Sequence, residues 1–179
     1  MATNAPAHGT PFRRAPEEGL IDKAHPIRVG TRSGICASTE KDREAGFQLV
    51  SAMDFEDIGA AGAGERIRQR VCDAPVYISV DIDVLDPAHA SGTGTPATGG
   101  LSSREPLGLR RLVGTNVVGA DVVEVAPAYD HAEVTAIAAA HVIRRVPSAL
   151  SRGTRFSHTV FADEGNDQTH DHDRTEQAG

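Results

Sequence analysis

Pro75-Val76-Tyr77-Ile78-Ser79-Val80-Asp81-Ile82-Asp83 is the stretch on which the fold turns. Val76, Ile78 and Val80 alternate with Tyr77 and Ser79, the period-two pattern of a strand with one face buried, and the run closes on two acids. If the chain stays extended to Asp83, the two carboxylates leave the same face roughly 6–7 Å apart, with Ile82 turned away. Downstream lies a Gly-, Pro- and Thr-rich loop, Leu85 to Leu101, and then Ser102-Ser-Arg-Glu105, which has the form of a helix start capped by Ser102 and continued through Leu107 to Val113. Val117 to Val125 (VVGADVVEV) is apolar enough for a strand covered on both faces, and Ala132 to Val146 returns to helical composition. Upstream, GERIRQRV (Gly64 to Val71) is an amphipathic helix pattern. HPIRVG (His25 to Gly30) and FQLVSA (Phe47 to Ala52) are strand candidates with a short helix, Thr39 to Ala45, between them. Strands alternating with helices predict an α/β fold whose parallel sheet carries helices on both faces and a ligand crevice at the carboxyl ends of its strands. The acids ending the two central strands then share one crevice.

After Pro147 the pattern fails, so residues 1–146 are expected to form the domain and residues 147–179 a polar, disordered tail. The 179 residues suit one domain plus that tail. Hydrophobic residues make up 39% and aromatics 4%, with no Trp, so the core must be built from small aliphatic side chains. The net charge of −7 argues against nucleic acid as a partner. No apolar run approaches the roughly 20 residues needed to cross a bilayer, and Met1 to Pro11 lacks an apolar leader, so the reading is cytoplasmic with no membrane partner. Cys36 and Cys72 have no metal-ligand or framework spacing and are read as reduced thiols.

Two like charges at the end of an apolar strand are costly unless one keeps its proton or a cation sits between them. Asp81 and Asp83 therefore read either as ligands of a divalent ion or as a capping and loop-anchoring pair, and Asp86-Pro87 as a capping turn. The loop Ser91-Gly-Thr-Gly-Thr-Pro96 puts hydroxyls beside these acids, though as a turn-rich connection it needs no ligand. Glu124 interrupts the next apolar run and calls for a cationic partner, either a bound ligand or a local arginine. His8, in HGTPF, is a surface residue by default.

Taken together, Ser79 to Gly100 (SVDIDVLDPAHASGTGTPATGG) resembles the metal-binding signature of the ureohydrolases, the arginase and agmatinase family. HGTPFRRAPEEGLID (His8 to Asp22), HPIRVGTRS (His25 to Ser33) and VVGADVVEVAPAYDHAEVTAIAAAH (Val117 to His141) extend the resemblance, and the HGTPF and AYDH segments favour the agmatinase branch. The resemblance implies a three-layer arginase-like domain with a mostly parallel sheet. It also implies two Mn²⁺ ions, bridged by Asp81, with Asp83 binding one of them, and a metal-activated hydroxide that attacks a guanidinium carbon. Glu124 then matches the acid that holds the guanidinium, Thr95 a hydroxyl near it, and His8 a proton shuttle. The implied partners are a small guanidino substrate, giving urea and an amine, and further copies of the chain in a homo-oligomer.

Two family motifs that normally precede HGTPF, Gly-Gly-x-His-Ser and Asp-Ala-His-x-Asp, do not occur in the sequence. Ser91 stands where the signature usually has proline, and the resemblance stops at His141. These departures predict the carboxyl-terminal half of a ureohydrolase without its early strands, holding Mn²⁺ weakly and impaired as an enzyme. The alternative is a non-catalytic partner or a complementing half-domain of a complete ureohydrolase. A sheet lacking strands exposes an edge, which favours dimerisation or aggregation through it.

Overall fold

Strand and helix alternate along the residues described in this computed structural model, which are 11–32, 36–106, 108 and 115–145. In chain order they are α1 (Pro11–Glu17), β1 (Ile27–Thr31), α2 (Cys36–Glu44), β2 (Gln48–Ser51), α3 (Ala52–Val71), β3 (Pro75–Asp81), a 3₁₀ turn (Ile82–Val84), β4 (Asn116–Val123), two further 3₁₀ turns (Pro127–Tyr129 and His131–Glu133) and α4 (Val134–Ile143). Every strand named from the sequence is present, with ends moved by one or two residues. The helix expected over Leu107 to Val113 lies outside the described residues apart from Gly108, and so does the tail from Pro147. At its expected start, the Glu105 carboxylate accepts from the Ser102 amide at 2.6 Å, half of a capping box.

Both strand pairings are parallel, which makes the fold α/β as read. β1 runs beside β2 with Ile27 opposite Gln48 and Val29 opposite Val50, and β3 beside β4 from Pro75 opposite Asn116 to Asp81 opposite Val123. Among the described residues the strands form two two-stranded sheets, since no described strand bonds to the second edge of β1 or of β3, as expected of a parallel sheet lacking strands.

One helix serves both sheets. α3 opens on a full capping box, with Ser51 Oγ accepting from the Asp54 amide at 3.0 Å and Asp54 accepting from the Ser51 amide at 2.8 Å. It kinks at Gly59 (φ 61°), and its apolar side chains divide along its length. Phe55 and Ala63 join Ile82, Leu85, Ala90, Leu101, Ala138 and Ala139 in the main core, on which Val29 of β1 also packs. Ile67, about one turn beyond Ala63, meets Ile78 and Val117 of β3 and β4 in a second cluster. The opposite face of β3–β4 is open, with Tyr77 59% and Val118 60% exposed, so the apolar β4 run is not covered on both faces. There Tyr77 lays its ring against Gly119 and its hydroxyl donates to Asp121 at 3.0 Å, a polar contact that suits a solvent-facing surface. No described helix is long and apolar enough to cross a membrane.

Gly30 marks where β1 meets the turn that follows β3. It has φ 85°, sits at a register shift between Val29 and Thr31, and a Cβ built on it would fall 2.4 Å from Val84 Cγ2. Gly30→Ala adds both left-handed strain and overpacking, so it should lower the unfolding free energy by roughly 1–3 kcal/mol in urea titrations. A double-mutant cycle with Val84→Ala should return a coupling above about 0.5 kcal/mol; strict additivity would leave backbone strain as the whole cause.

Candidate functional site

β3 ends at Asp81, and the chain then turns. Asp81 Oδ1 accepts from the Asp83 amide at 3.1 Å, capping the 3₁₀ turn Ile82–Val84. Asp83 therefore does not extend the strand, which corrects the same-face, i and i+2 placement of the two carboxylates. The cause is apolar: Ile82 is 0% and Leu85 1% exposed, and side chains three residues apart reach one core only if the backbone winds. The two acids remain neighbours through that turn.

Thr95 reaches them because its loop is tied down at several points. Leu85 bridges to Leu101 and Thr93 to Val125, while Ala126 donates to the Gly92 carbonyl at 2.8 Å. Asp86 accepts from the amides of Ala88 at 3.0 Å and Gly99 at 2.9 Å, and these donors hold its carboxyl below the usual carboxylate range. The capping turn read at Asp86-Pro87 is thus a loop anchor. At the loop's other end Thr135, 0% exposed, accepts from the Gly92 amide at 2.8 Å, and Asp130 accepts from the amides of Thr135 at 2.9 Å and Ala136 at 2.8 Å. The loop so fixed puts Thr95 Oγ1 2.8 Å from Asp83 Oδ2, to which it donates.

Glu124 follows β4 directly, in a left-handed conformation (φ 64°) that few non-glycine residues adopt. A Cβ built on Gly94 would lie 3.9 Å from the Glu124 Oε2, in ordinary van der Waals contact. Asp81, Asp83, Thr95 and Glu124 therefore gather at the carboxyl ends of β3 and β4, in the crevice expected from the topology. Desolvation, although Asp81 keeps solvent contact, pushes its carboxyl up to about 6, and the charges of Asp83 and Glu124 push the same way. His8 lies outside the described residues.

Arg32 is the participant that the sequence reading missed. It donates from Nη2 to the Asp83 carbonyl at 2.5 Å and lies 3.6 Å from Asp83 Oδ1, with 19% of its side chain exposed. Its signal was available: it is the first residue past a strand whose carboxyl end borders the crevice. Asp130 and Thr135 were missed as well, for AYDH carried only the resemblance.

A divalent cation takes about six oxygen ligands. Here one Asp83 oxygen serves Thr95 and the other faces Arg32, and among the described residues no three His, Cys, Asp or Glu side chains converge to hold a metal. A complete binuclear centre does not fit the described residues alone.

The raised Asp81 carboxyl has a measurable consequence. Folded Asp81 keeps its proton up to about pH 6, whereas the unfolded chain releases it near 3.8, so between these values the folded state holds the extra proton and the group's stabilisation is lost as pH rises. Asn keeps the cap and drops the charge. Asp81→Asn should therefore melt with the wild type near pH 4 and above it at pH 7 in metal-free buffer; a Tm difference that does not change with pH would place the raised pKa elsewhere.

The profile of the Arginase family matches residues 1–147. Over 134 residues the chain is 50% identical to the agmatinase of Escherichia coli O7:K1, covering 74% of this chain and 42% of that protein. Among solved structures it resembles proclavaminate amidino hydrolase from Streptomyces clavuligerus, with TM-score 0.71 and 45% identity over 79% of this chain and 48% of that one. It also resembles formimidoylglutamase from Bacillus subtilis, with TM-score 0.75 and 31% identity over 84% and 49%. The chain spans less than half the length of each of these relatives. A family profile over most of the chain and an agmatinase half identical to it across 134 residues lead to one statement: this chain belongs to the arginase family of ureohydrolases.

Proposed function

We propose that the chain carries the guanidinium-holding half of an agmatinase-type amidinohydrolase, a manganese-dependent enzyme that converts a guanidino compound and water to urea and an amine. The observation that supports this reading is the gathering of Asp81, Asp83 and Glu124, with Thr95, at the ends of two paired strands. Acids in such a place favour a cationic ligand, and Glu124, beside Gly94, is positioned for the planar donors of a guanidinium. Thr95 acts through Asp83, holding one carboxylate oxygen by its hydroxyl. Mn²⁺, when bound, would supply an activated hydroxide near neutral pH. His8 stays the proposed proton shuttle by resemblance, and a cytoplasmic homo-oligomer the proposed setting.

A second reading has the chain as a non-catalytic or complementing half-domain, and the incomplete donor set among the described residues favours it. Purified chain incubated with Mn²⁺ and agmatine or 4-guanidinobutanoate should release urea only near background, since a site short of ligands holds metal weakly. Robust turnover would remove the impairment. Glu124→Gln should then cut kcat/KM by about tenfold or more, and an unchanged value would take the guanidinium contact away from Glu124.

A further inference from the structure

We propose that Arg32 is the crevice's own counter-cation: its guanidinium takes the acceptors of Asp83 that a divalent ion would need, so the chain admits such an ion at Asp81 and Asp83 only when Arg32 leaves. This rests on the reading of the crevice as a cation site. The oxygens around the two acids are largely engaged within the protein. Asp83 Oδ2 accepts from Thr95 at 2.8 Å, and Asp81 Oδ1 accepts from the Asp83 amide at 3.1 Å. The Asp83 carbonyl accepts from Arg32 Nη2 at 2.5 Å, and the same nitrogen stands 3.6 Å from Asp83 Oδ1. A carboxylate whose two oxygens already face a hydroxyl and a guanidinium has no vacant position for an ion. Among the described residues no three metal-ligating side chains converge to replace those contacts.

Packing delivers Arg32 to Asp83. Arg32 is the first residue after β1 and lies two beyond Gly30. A Cβ on Gly30 would fall 2.4 Å from Val84 Cγ2 and 3.4 Å from Leu101 Cδ1, so the end of β1 rests directly on the turn that carries Asp83. Arg32 Nε and Nη1 are buried and have no acceptor, while Nη2 serves Asp83. Asp83 is therefore the contact that compensates a largely buried charge, and its loss would leave that charge unpaired. Arginine suits this task because its guanidinium does not give up its proton in proteins, so it remains a competitor at every pH at which a carboxylate could bind metal. A divalent ion arriving at Asp83 meets this positive charge a few ångströms away and must displace it or be repelled.

The test is a Mn²⁺ titration of the full chain, read by the loss of the free-ion electron paramagnetic resonance signal. An apparent dissociation constant is the intrinsic one divided by the fraction of molecules whose site is open, so Arg32 seated in about nine molecules of ten weakens binding about tenfold. Arg32→Met should therefore bind Mn²⁺ about tenfold more tightly than the wild type, or better. Arg32→Lys, which keeps the charge, should show no such gain, and adding Asp83→Asn to Arg32→Met should abolish it. Arg144→Met, which removes an exposed charge just past the carboxyl end of α4, should leave the affinity unchanged. If Arg32→Met fails to fold, Arg32→Gln takes its place, since it keeps a donor for the Asp83 carbonyl. Phenylglyoxal labelling of the wild type, read by mass spectrometry, gives an independent measure: excess Mn²⁺ should speed modification of Arg32 and leave that of Arg144 unchanged. An affinity no higher than wild type in a folded neutral variant, an equal gain from Arg32→Lys or Arg144→Met, or Arg32 labelling indifferent to Mn²⁺ would each overturn the counter-cation. Tighter Mn²⁺ binding by the neutral variant with no urea release keeps Arg32 in this role and removes the amidinohydrolase reading, whereas urea release by the wild type with no gain in the variant does the reverse.

Discussion

The parallel pairing of β3 with β4 fixes where each candidate group stands. With Asp81 opposite Val123, the next residues of both strands leave the sheet at one level, so Asp83 and Glu124 enter the same crevice from adjacent strands. An antiparallel pair would have sent them to opposite ends of the sheet. The pairing is seated by α3 through Ile67, Ile78 and Val117, a cluster of modest size in a chain with few aromatics. The positions of charged groups at the rim are thus set by burial of a few aliphatic side chains a turn or two away.

Polar anchors do the rest. Of the loop between Leu85 and Leu101 only the ends and Ala90 enter the apolar core; Gly92 and Thr93 are buried outside it, and the stretch 94–99 is exposed and contains glycines, whose freedom raises the entropy lost on ordering. Order comes from Asp86 and Asp130, each taking two or more backbone amides, and from Thr135 beneath Gly92. At Gly92 a side chain would collide with Asp130, a Cβ there lying 2.5 Å from the Asp130 Cβ. Thr95 meets Asp83 as the last link of this chain of contacts, so a change at Asp130 or Thr135 acts on the crevice from a distance.

What the sequence made legible were the strands, since alternation in Pro75–Asp81 and the apolar run in Val117–Val125 reflect burial directly. The acids at their ends were legible too, because charge at the end of an apolar run is conspicuous. The turn at Ile82 was not: Ile82 reads as the outward member of an alternating strand, and only the depth of the core shows that Ile82 and Leu85 are claimed together. Arg32 was hidden for a similar reason. It lies 51 residues from Asp83, and no local pattern announces a partner at that separation. Nor could periodicity reveal that the strands form two pairs, because a strand's own sequence says how its faces are covered and almost nothing about which edge is bonded.

The electrostatics of the crevice follow from the same incompleteness. Asp81, Asp83 and Glu124 repel, and the Asp81 proton relieves part of that at moderate acidity. Arg32 relieves another part by facing Asp83, yet only one of its nitrogens is spent there. A guanidinium held against one acid with two donors idle, beside an acid held partly protonated, is a balance struck by groups that each lack a better partner. Adding a cation near Asp81 would displace the proton, and adding an acceptor near Arg32 would satisfy its donors; the two additions oppose each other in charge, so both can be accommodated together more readily than either alone.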